Sequence, residues 1–437
     1  MATPEMTARP TALGTTATVT TVPNYTRPLT IVTTLFFMWG FITSLNDILV
    51  PHLKSIFDLS YAHVMLIQFA FFSAYFLFSI PWAKVVNVIG YQKSMVAGLL
   101  CMTVGAFLFV PAASSASFPL FLAALIVLAA GITGLQVAAN PYVVVLGKPE
   151  TASSRLDLTQ AFNSLGTTIA PKLGGLLILS AAPLAIELRA LSPQALHLYR
   201  VNEAASVKMP YIVIGIALLL LAVMIALSKL PTIAHAEYRP EAKVRDSVWK
   251  HPNLVLGGLA IFAYVGAEVS IGSFLVNYFS LPDIAGLSAK TAAGFVSFYW
   301  GGAMVGRFLG AAVLRRIRTG HLLALCAICT AALVVISMLS SGHIAMWSIL
   351  AVGLFNSIMF PSIFSLGVAE LGPLTGNGSG ILNMAIVGGA IMPLIQGVIA
   401  DHIGIHHAFF IPVICYLYIL FYALSGSRPN SERYATA

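Results

Sequence analysis

Apolar and polar positions along this chain of 437 residues fall in long blocks rather than alternating with the period of a soluble helix or strand. Apolar stretches run at 30–52, 60–83, 94–112, 118–146, 156–181, 209–228, 254–280, 290–314, 321–340, 343–366, 376–400 and 407–425. Each is close to the roughly 20 residues that carry a helix across a hydrocarbon core. Only helices and closed barrels satisfy their own backbone in lipid, so the pattern predicts an all-α membrane protein with twelve transmembrane helices.

A second pattern lies above the first. The longest charged stretch follows the sixth apolar block and divides the chain into two sets of six. The expected organisation is a cytoplasmic disordered tail at 1–28, a six-helix bundle at 29–228, a cytoplasmic linker at 229–253, a second six-helix bundle at 254–426 and a tail at 427–437. The halves also repeat. Span four carries Pro141 and Gly147 in GLQVAANPYVVVLG, and span ten carries Pro361 and Gly367 in GLFNSIMFPSIFSLG, an offset of 220 residues. Span five carries Gly166, Pro171 and Gly175, matched in span eleven by Gly388, Pro393 and Gly397 at an offset of 222. An even number of spans separates the copies, so the repeat is parallel, about an axis along the membrane normal. Two such bundles can rock against each other around a central site.

Composition and charge exclude the soluble alternatives. Hydrophobic residues make up 58% and charged residues 9%, too few charges to cover a soluble surface of this size. The net charge of +8 does not point to nucleic acid, because membrane proteins gain such a balance from basic cytoplasmic loops. With the amino terminus inside, the loops expected in the cytoplasm collect about three times as many Lys and Arg as the others, Lys172 and Arg307 lying within spans. Both termini are therefore expected in the cytoplasm, with the chain integral to a bacterial inner membrane and in contact with its lipid. No signal peptide is recognisable at the start. Cys101, Cys326, Cys329 and Cys415 sit in apolar runs and read as lipid-facing or packed helix thiols. No Walker A motif supports an ATP-driven pump.

Ionisable groups deep in a span cost about 2.5–3.5 kcal/mol, so each needs a reason. Asp47 lies within span one beside Asn46, and Glu268 lies in span seven. Either acid is a structural hydrogen-bond partner or a cation-coupling group. Amides that both donate and accept suit a hydroxyl-rich, uncharged substrate. Gln136 and Asn140 of span four, Gln160 and Asn163 of span five, Asn277 of span seven, Asn356 of span ten, and Asn383 and Gln396 of span eleven are the candidates. Rings of Trp39, Phe72, Tyr75, Phe162, Tyr299 and Trp300 are available to stack on a sugar, with ordinary packing the favoured reading for each taken alone. Arg155 and Asp157 flank the entry to span five, and Arg307 lies near the end of span eight; they read either as gate charges or as membrane anchors. Asp401, His402, His406 and His407 are a weak metal pattern, and no metal or other cofactor is expected. Asn24 and Asn377 match the glycosylation pattern on the side where it goes unused.

At NDILVPHLK, LQVAANPYVVVLG and LTQAFNSLGTTIAP the chain resembles the fucose–galactose–glucose permease group of the major facilitator superfamily. The likeness runs through nearly all twelve spans and implies the major facilitator fold, two six-helix bundles importing sugar with a cation. It implies a coupling role for Asp47 and a place in the sugar cavity for Gln160 and Asn163. Fucose permeases carry a glutamate in L-E-x-A-A-N-P where this chain has Gln136, which cannot titrate. LQVAANPY and GAEVSIGSFLVNY are more similar to the bacterial glucose/galactose branch, with Glu268 as the second charge. The loop between spans two and three, rich in Gly, Asp and Arg elsewhere in the superfamily, is degraded here to AKVVNVIGYQK, so the cytoplasmic gate must use other contacts.

The expected function is secondary active hexose import, glucose or galactose, by alternating access with symport of a proton or, alternatively, sodium. The chain is expected to act as a monomer and not as an enzyme. An uncoupled sugar facilitator, an exporter of drugs or amphipaths, and a membrane-bound sugar sensor are the rivals.

Overall fold

The structure, a computed structural model, describes residues 25–57, 61–115, 117–178, 208–231 and 247–429 with the single positions 192 and 194; at 45–57, 61–66, 68, 171–178, 289 and 290 only the backbone is described. Among the described residues helix dominates and no strand occurs. Span one is Thr26–Phe57, and spans two and three are the two halves of Tyr61–Ser114. Spans four to nine are Phe118–Val145, Ala152–Ile178, Lys208–Leu227, Pro252–Phe279, Ala289–Val313 and Thr319–Leu339. Spans ten to twelve are Gly342–Gly367, Gly372–Ile403 and Ile405–Gly426. Eight of the described helical stretches are long and apolar enough to cross a membrane by length and composition.

Sequence explains the breaks. Spans two and three part at Gly90, whose φ of +79° is left-handed. A Cβ there would meet nothing within 4 Å, so it is the backbone angle, not crowding, that asks for glycine. Span ten turns at 357–358, where Pro361 removes an N–H and its ring crowds the carbonyl four residues before it. Bundle ends are closed by side chains. Arg155 donates to the carbonyls of Val143 and Val144 at the end of span four. Asn253 donates to the carbonyls of Leu366, Gly367 and Ala369 at the end of span ten. Carbonyls left over at a helix end are costly near lipid, and each of these amide or guanidinium groups covers two or three of them.

The repeat is visible in packing. A Cβ on Gly166 of span five would collide with the Phe37 carbonyl of span one, and one on Gly388 of span eleven with the Phe262 carbonyl of span seven. Spans five and eleven thus press their backbones onto spans one and seven in the same way. From Phe37 to Phe262 the offset is 225, which relates Asp47 to Gly272. Glu268 therefore stands one helical turn before the position related to Asp47.

The end of the molecule that carries Tyr25, Pro231 and Ser247 is here termed the linker end. There the two bundles touch: span eleven on spans two and four, span five on spans eight and ten. Asn87 Nδ2 donates to Asn377 Oδ1 at 2.6 Å, Ser153 Oγ bonds Thr319 and Ser365, and Ser154 Oγ donates to the Ala311 carbonyl. The bonds Asn87–Asn377, Ser153–Thr319, Ser153–Ser365 and Ser154–Ala311 all cross between the bundles in the half of the spans nearer this end. Large apolar side chains such as Leu227 and Leu339 face outwards, as a lipid-facing surface requires.

Candidate functional site

Each bundle holds one amide–tyrosine pair. Gln136 Nε2 of span four donates to the Tyr75 hydroxyl of span two at 2.6 Å, and Asn356 Nδ2 of span ten donates to the Tyr299 hydroxyl of span eight at 2.9 Å. Positions 136 and 356 differ by the offset of 220 already set by the prolines, so the repeat has kept this bond in both halves. Tyr75 and Tyr299 are buried hydrogen-bond partners. Their rings position amides.

The second bundle gathers its polar groups around Glu268. Glu268 Oε1 accepts from the Tyr264 hydroxyl at 2.7 Å, and the Tyr299 hydroxyl reaches the Glu268 main-chain carbonyl at 3.4 Å. Tyr416 lies beside Asn356. Glu268 itself is half-buried, so one acid is held at the edge of a tyrosine–amide network with part of its surface open. Neither Tyr264 nor Tyr416 carries a signal in the sequence, since tyrosines in apolar helices read as ordinary packing.

Several candidate amides retain unused hydrogen-bonding capacity. Neither polar atom of Asn140 nor of Gln396 has a partner, and Asn383 Oδ1 and Asn356 Oδ1 are likewise unpartnered. Ser379 Oγ of span eleven donates to the Val137 carbonyl of span four at 2.9 Å, and Asn383 Nδ2 donates back to Ser379. That brings Gln136 and Asn140 to the same interface as Ser379 and Asn383. A buried amide without a partner costs about 1–3 kcal/mol, a cost that a hydroxyl-rich ligand relieves. Asn163 Nδ2 donates to the Phe36 carbonyl at 2.9 Å and packs on Gly40, tying span five to span one. Gln160 is buried on the same helix, and Asn277 is exposed near the end of span seven. Trp39 is buried against Phe36, whereas Trp300 is partly exposed beside Tyr299 and Gly272. Phe162 meets Phe308 of the other bundle edge-on, and Phe72 packs on Gly389. The side chains of Asn46 and Asp47 lie outside the described residues, as does Asn24.

The three expected gate charges part company. Arg155 spends its donors within its own bundle, on span four and on Lys148 and Thr151, and is a staple of the turn rather than a cross-bundle gate. Asp157 does not flank the entry to span five, because the helix begins at Ala152; it is fully buried, and neither carboxylate oxygen has a partner. It is thus a further acid within the spans, beside Asp47 and Glu268. Arg307 lies within span eight and crosses to the other bundle, donating to Ser164 Oγ and, within its own bundle, to the Ser357 carbonyl. Its charge acts on both Asp157 and Glu268.

Asn377, read as an unused glycosylation match, belongs to the inter-bundle contact with Asn87. His406 is committed to the Met338 carbonyl and the Tyr278 hydroxyl. Gly404 separates it from Asp401 and His402, which breaks the helical spacing of the metal pattern.

This architecture has known relatives. The chain is 56% identical over 406 residues to a protein named glucose/galactose transporter from Brucella abortus biovar 1 (strain 9-941), covering 93% of this chain and 95% of that protein. It is 35% identical over 420 residues to a protein named L-fucose-proton symporter from Escherichia coli (strain K12), covering 93% and 94%. A crystal structure of the transporter FucP in the outward conformation superposes with a TM-score of 0.86 at 34% identity, covering 92% of this chain and 99% of that one. Residues 31–387 match the model of the Major Facilitator Superfamily. The helical architecture of the described residues, the parallel repeat and this match agree: the chain belongs to the Major Facilitator Superfamily and is a membrane transporter, not an enzyme.

Proposed function

We propose that this transporter imports hexoses of the glucose/galactose type by alternating access, coupled to symport of a proton. The observation that carries the reading is the duplicated amide–tyrosine pair. Gln136 and Asn356 stand at related positions of the two halves, Asn140, Asn383 and Gln396 add buried amide groups with unused hydrogen-bonding capacity, and Glu268 accepts from Tyr264. Groups that donate and accept without charge suit a polyhydroxylic, neutral ligand. The names of the glucose/galactose and fucose relatives support the same substrate class.

In this reading the linker end is cytoplasmic, as the excess of Lys and Arg on its loops favours, and contact there leaves the sugar path facing outward. Sugar bridges the amides of both bundles, Trp39 and Trp300 border it, and the bundles rock to open the linker end. Asp47, with Asn46 beside it, and Glu268 are the coupling acids. An uncompensated carboxylate resists enclosure in a dry interface, so rocking proceeds once its charge is neutralised. The coupling ion is a proton, with sodium as the alternative that the test separates.

The test is labelled-hexose uptake into proteoliposomes under an imposed pH or sodium gradient, with glucose, galactose, mannose and fucose as competitors. Accumulation driven by the pH gradient and displaced by glucose or galactose is the expected result. Accumulation driven by sodium alone transfers the coupling role to that ion. Saturable flux that never exceeds the outside concentration under either gradient makes the chain a facilitator, and no competition among hexoses removes the sugar reading.

A further inference from the structure

Spans five and eleven occupy related places in the repeat, and each meets the opposite bundle at the linker end. Span eleven lays Ser379 and Gly380 against spans four and two, where a Cβ on Gly380 would meet Ala83 Cβ at 2.7 Å and the Ser79 carbonyl at 3.2 Å. Span five lays Ser154 and Asp157 against span eight, where a Cβ on Gly310 would meet Asp157 Oδ2 at 2.6 Å. The offset of 222 relates Asp157 to Ser379. Tyr75 and Tyr299, matched through their amide partners, set an offset of 224 for spans two and eight, which relates Ala83 to Arg307.

Shape is alike at the two contacts; chemistry is not. Ser379 is satisfied, donating to Val137 and accepting from Asn383. Ser379 and Ala83 close that side with no charge at all. On the other side stand an acid and a base that packing alone does not need. Asp157 has 0% of its surface exposed and no hydrogen-bond partner on either oxygen. Arg307 is near enough to act on it, yet its guanidinium is bound to Ser164 and Ser357 and forms no ion pair with Asp157. The other titratable group acting on this contact is the Cys326 thiol of span nine, and span ten presents Ile358. An ionised carboxylate without a donor is not sustained in such a place, whereas a neutral carboxyl is.

We propose that Asp157 is the exit site of the coupling proton. While the linker end is closed Asp157 is neutral, and the charge of Arg307 is left to balance Glu268. When spans five and eight part, water reaches the carboxyl, its O–H bond breaks, and the proton leaves on the linker side; Arg307 then balances Asp157, because Glu268 has meanwhile taken up a proton from the outer side. Return of the bundles requires Asp157 to be neutral again, and it takes the proton of Glu268, so Glu268 becomes once more the partner of Arg307 and one proton has crossed per cycle. This assignment rests on the proposed proton-coupled hexose transport.

The experiment uses the full chain in proteoliposomes as wild type, Asp157→Asn and Asp157→Glu. It measures sugar exchange at equal concentrations, accumulation under a one-unit pH gradient, and sugar-induced proton flux with an entrapped pH dye. Wild type is expected to accumulate sugar up to about tenfold, the limit for one proton per sugar at that gradient. Asp157→Asn is expected to keep exchange but to lose both accumulation and proton flux. Asp157→Glu is expected to keep all three with a displaced pH profile. Accumulation and proton flux by Asp157→Asn at wild-type levels overturn the assignment. Should Asp157→Asn lose exchange as well, Asp157→Glu decides: coupled flux supports the proton site, and equal loss in both variants marks Asp157 as packing only. Exchange without proton flux in wild type removes the proton from the proposed function and this site with it, and absence of exchange in wild type removes the hexose reading.

Discussion

At the scale of single residues the two halves put the same bond to the same use. Gln136 is buried, so its Nε2 has no water to turn to once the Tyr75 hydroxyl is gone, and the same holds for Asn356 and Tyr299. Tyr75→Phe and Tyr299→Phe are each expected to cost about 1–3 kcal/mol in thermal stability in detergent. They are also expected to lower hexose affinity by about tenfold for each 1.4 kcal/mol lost from the binding conformation. Ligand-induced shifts of Tm read both effects, and unchanged shifts in both variants contradict a role for the pairs in the site. Tyr264→Phe is a separate case, because it removes the donor to Glu268 without touching an amide. It is expected to change the pH dependence of uptake more than the KM for sugar. Much of this was within reach of sequence: the amides, Glu268, Trp39 and Trp300 stand out as polar or aromatic positions in apolar helices. What the tyrosines do was not, because Tyr75 and Gln136 are 61 residues apart and only the fold shows that they meet. The depth of Asp157 escaped for a similar reason, since the apolar stretch starts at 156 and puts Asp157 at the entry, whereas the helix begins at Ala152.

At the scale of helices, glycine reports where backbones touch. Gly166 and Gly388 leave no room for a methyl group between spans five and one or eleven and seven, whereas a Cβ on Gly294 of span eight meets nothing within 4 Å. Gly166→Ala and Gly388→Ala are therefore expected to destabilise by about 1–3 kcal/mol through overpacking. Gly294→Ala is expected to leave stability unchanged or to raise it by about 0.4–1 kcal/mol. Thermal unfolding of the three purified variants checks the contrast, and equal behaviour of all three contradicts the close packing. The repeat was legible in sequence through these same positions, because a helix pressed onto a neighbour's main-chain carbonyl admits only glycine at the contact and so leaves a spacing behind. Helix starts leave no such trace, and the first turn of span five escaped for that reason.

At the scale of the whole molecule, closure of the linker end rests on a few neutral hydrogen bonds together with the bond from Arg307 to Ser164. The loop between spans two and three has lost its usual acid, and Asn87 instead donates to Asn377 across the interface. Sequence predicted that other contacts must serve there but not which, because Asn377 is 290 residues away. A net hydrogen bond contributes about 0.5–1.5 kcal/mol, and two conformations that interconvert in a working transporter differ by only a few kcal/mol. Removing one such bond therefore moves the equilibrium measurably without breaking the fold. Asn87→Ala is expected to raise the population open at the linker end by about twofold to tenfold. The reporter is Ile358→Cys, a position buried between the bundles at 2% exposure, in a chain whose four native cysteines are replaced by serine. Labelling by a membrane-impermeant maleimide applied from the linker side should quicken by that factor. It should slow again on adding a ligand that binds only the outward-facing state, since a ligand shifts the equilibrium by its difference in affinity for the two states. An unchanged labelling rate in Asn87→Ala means that the Asn87–Asn377 bond does not hold the bundles together, and the serine contacts at Ser153 and Ser154 then carry the closure.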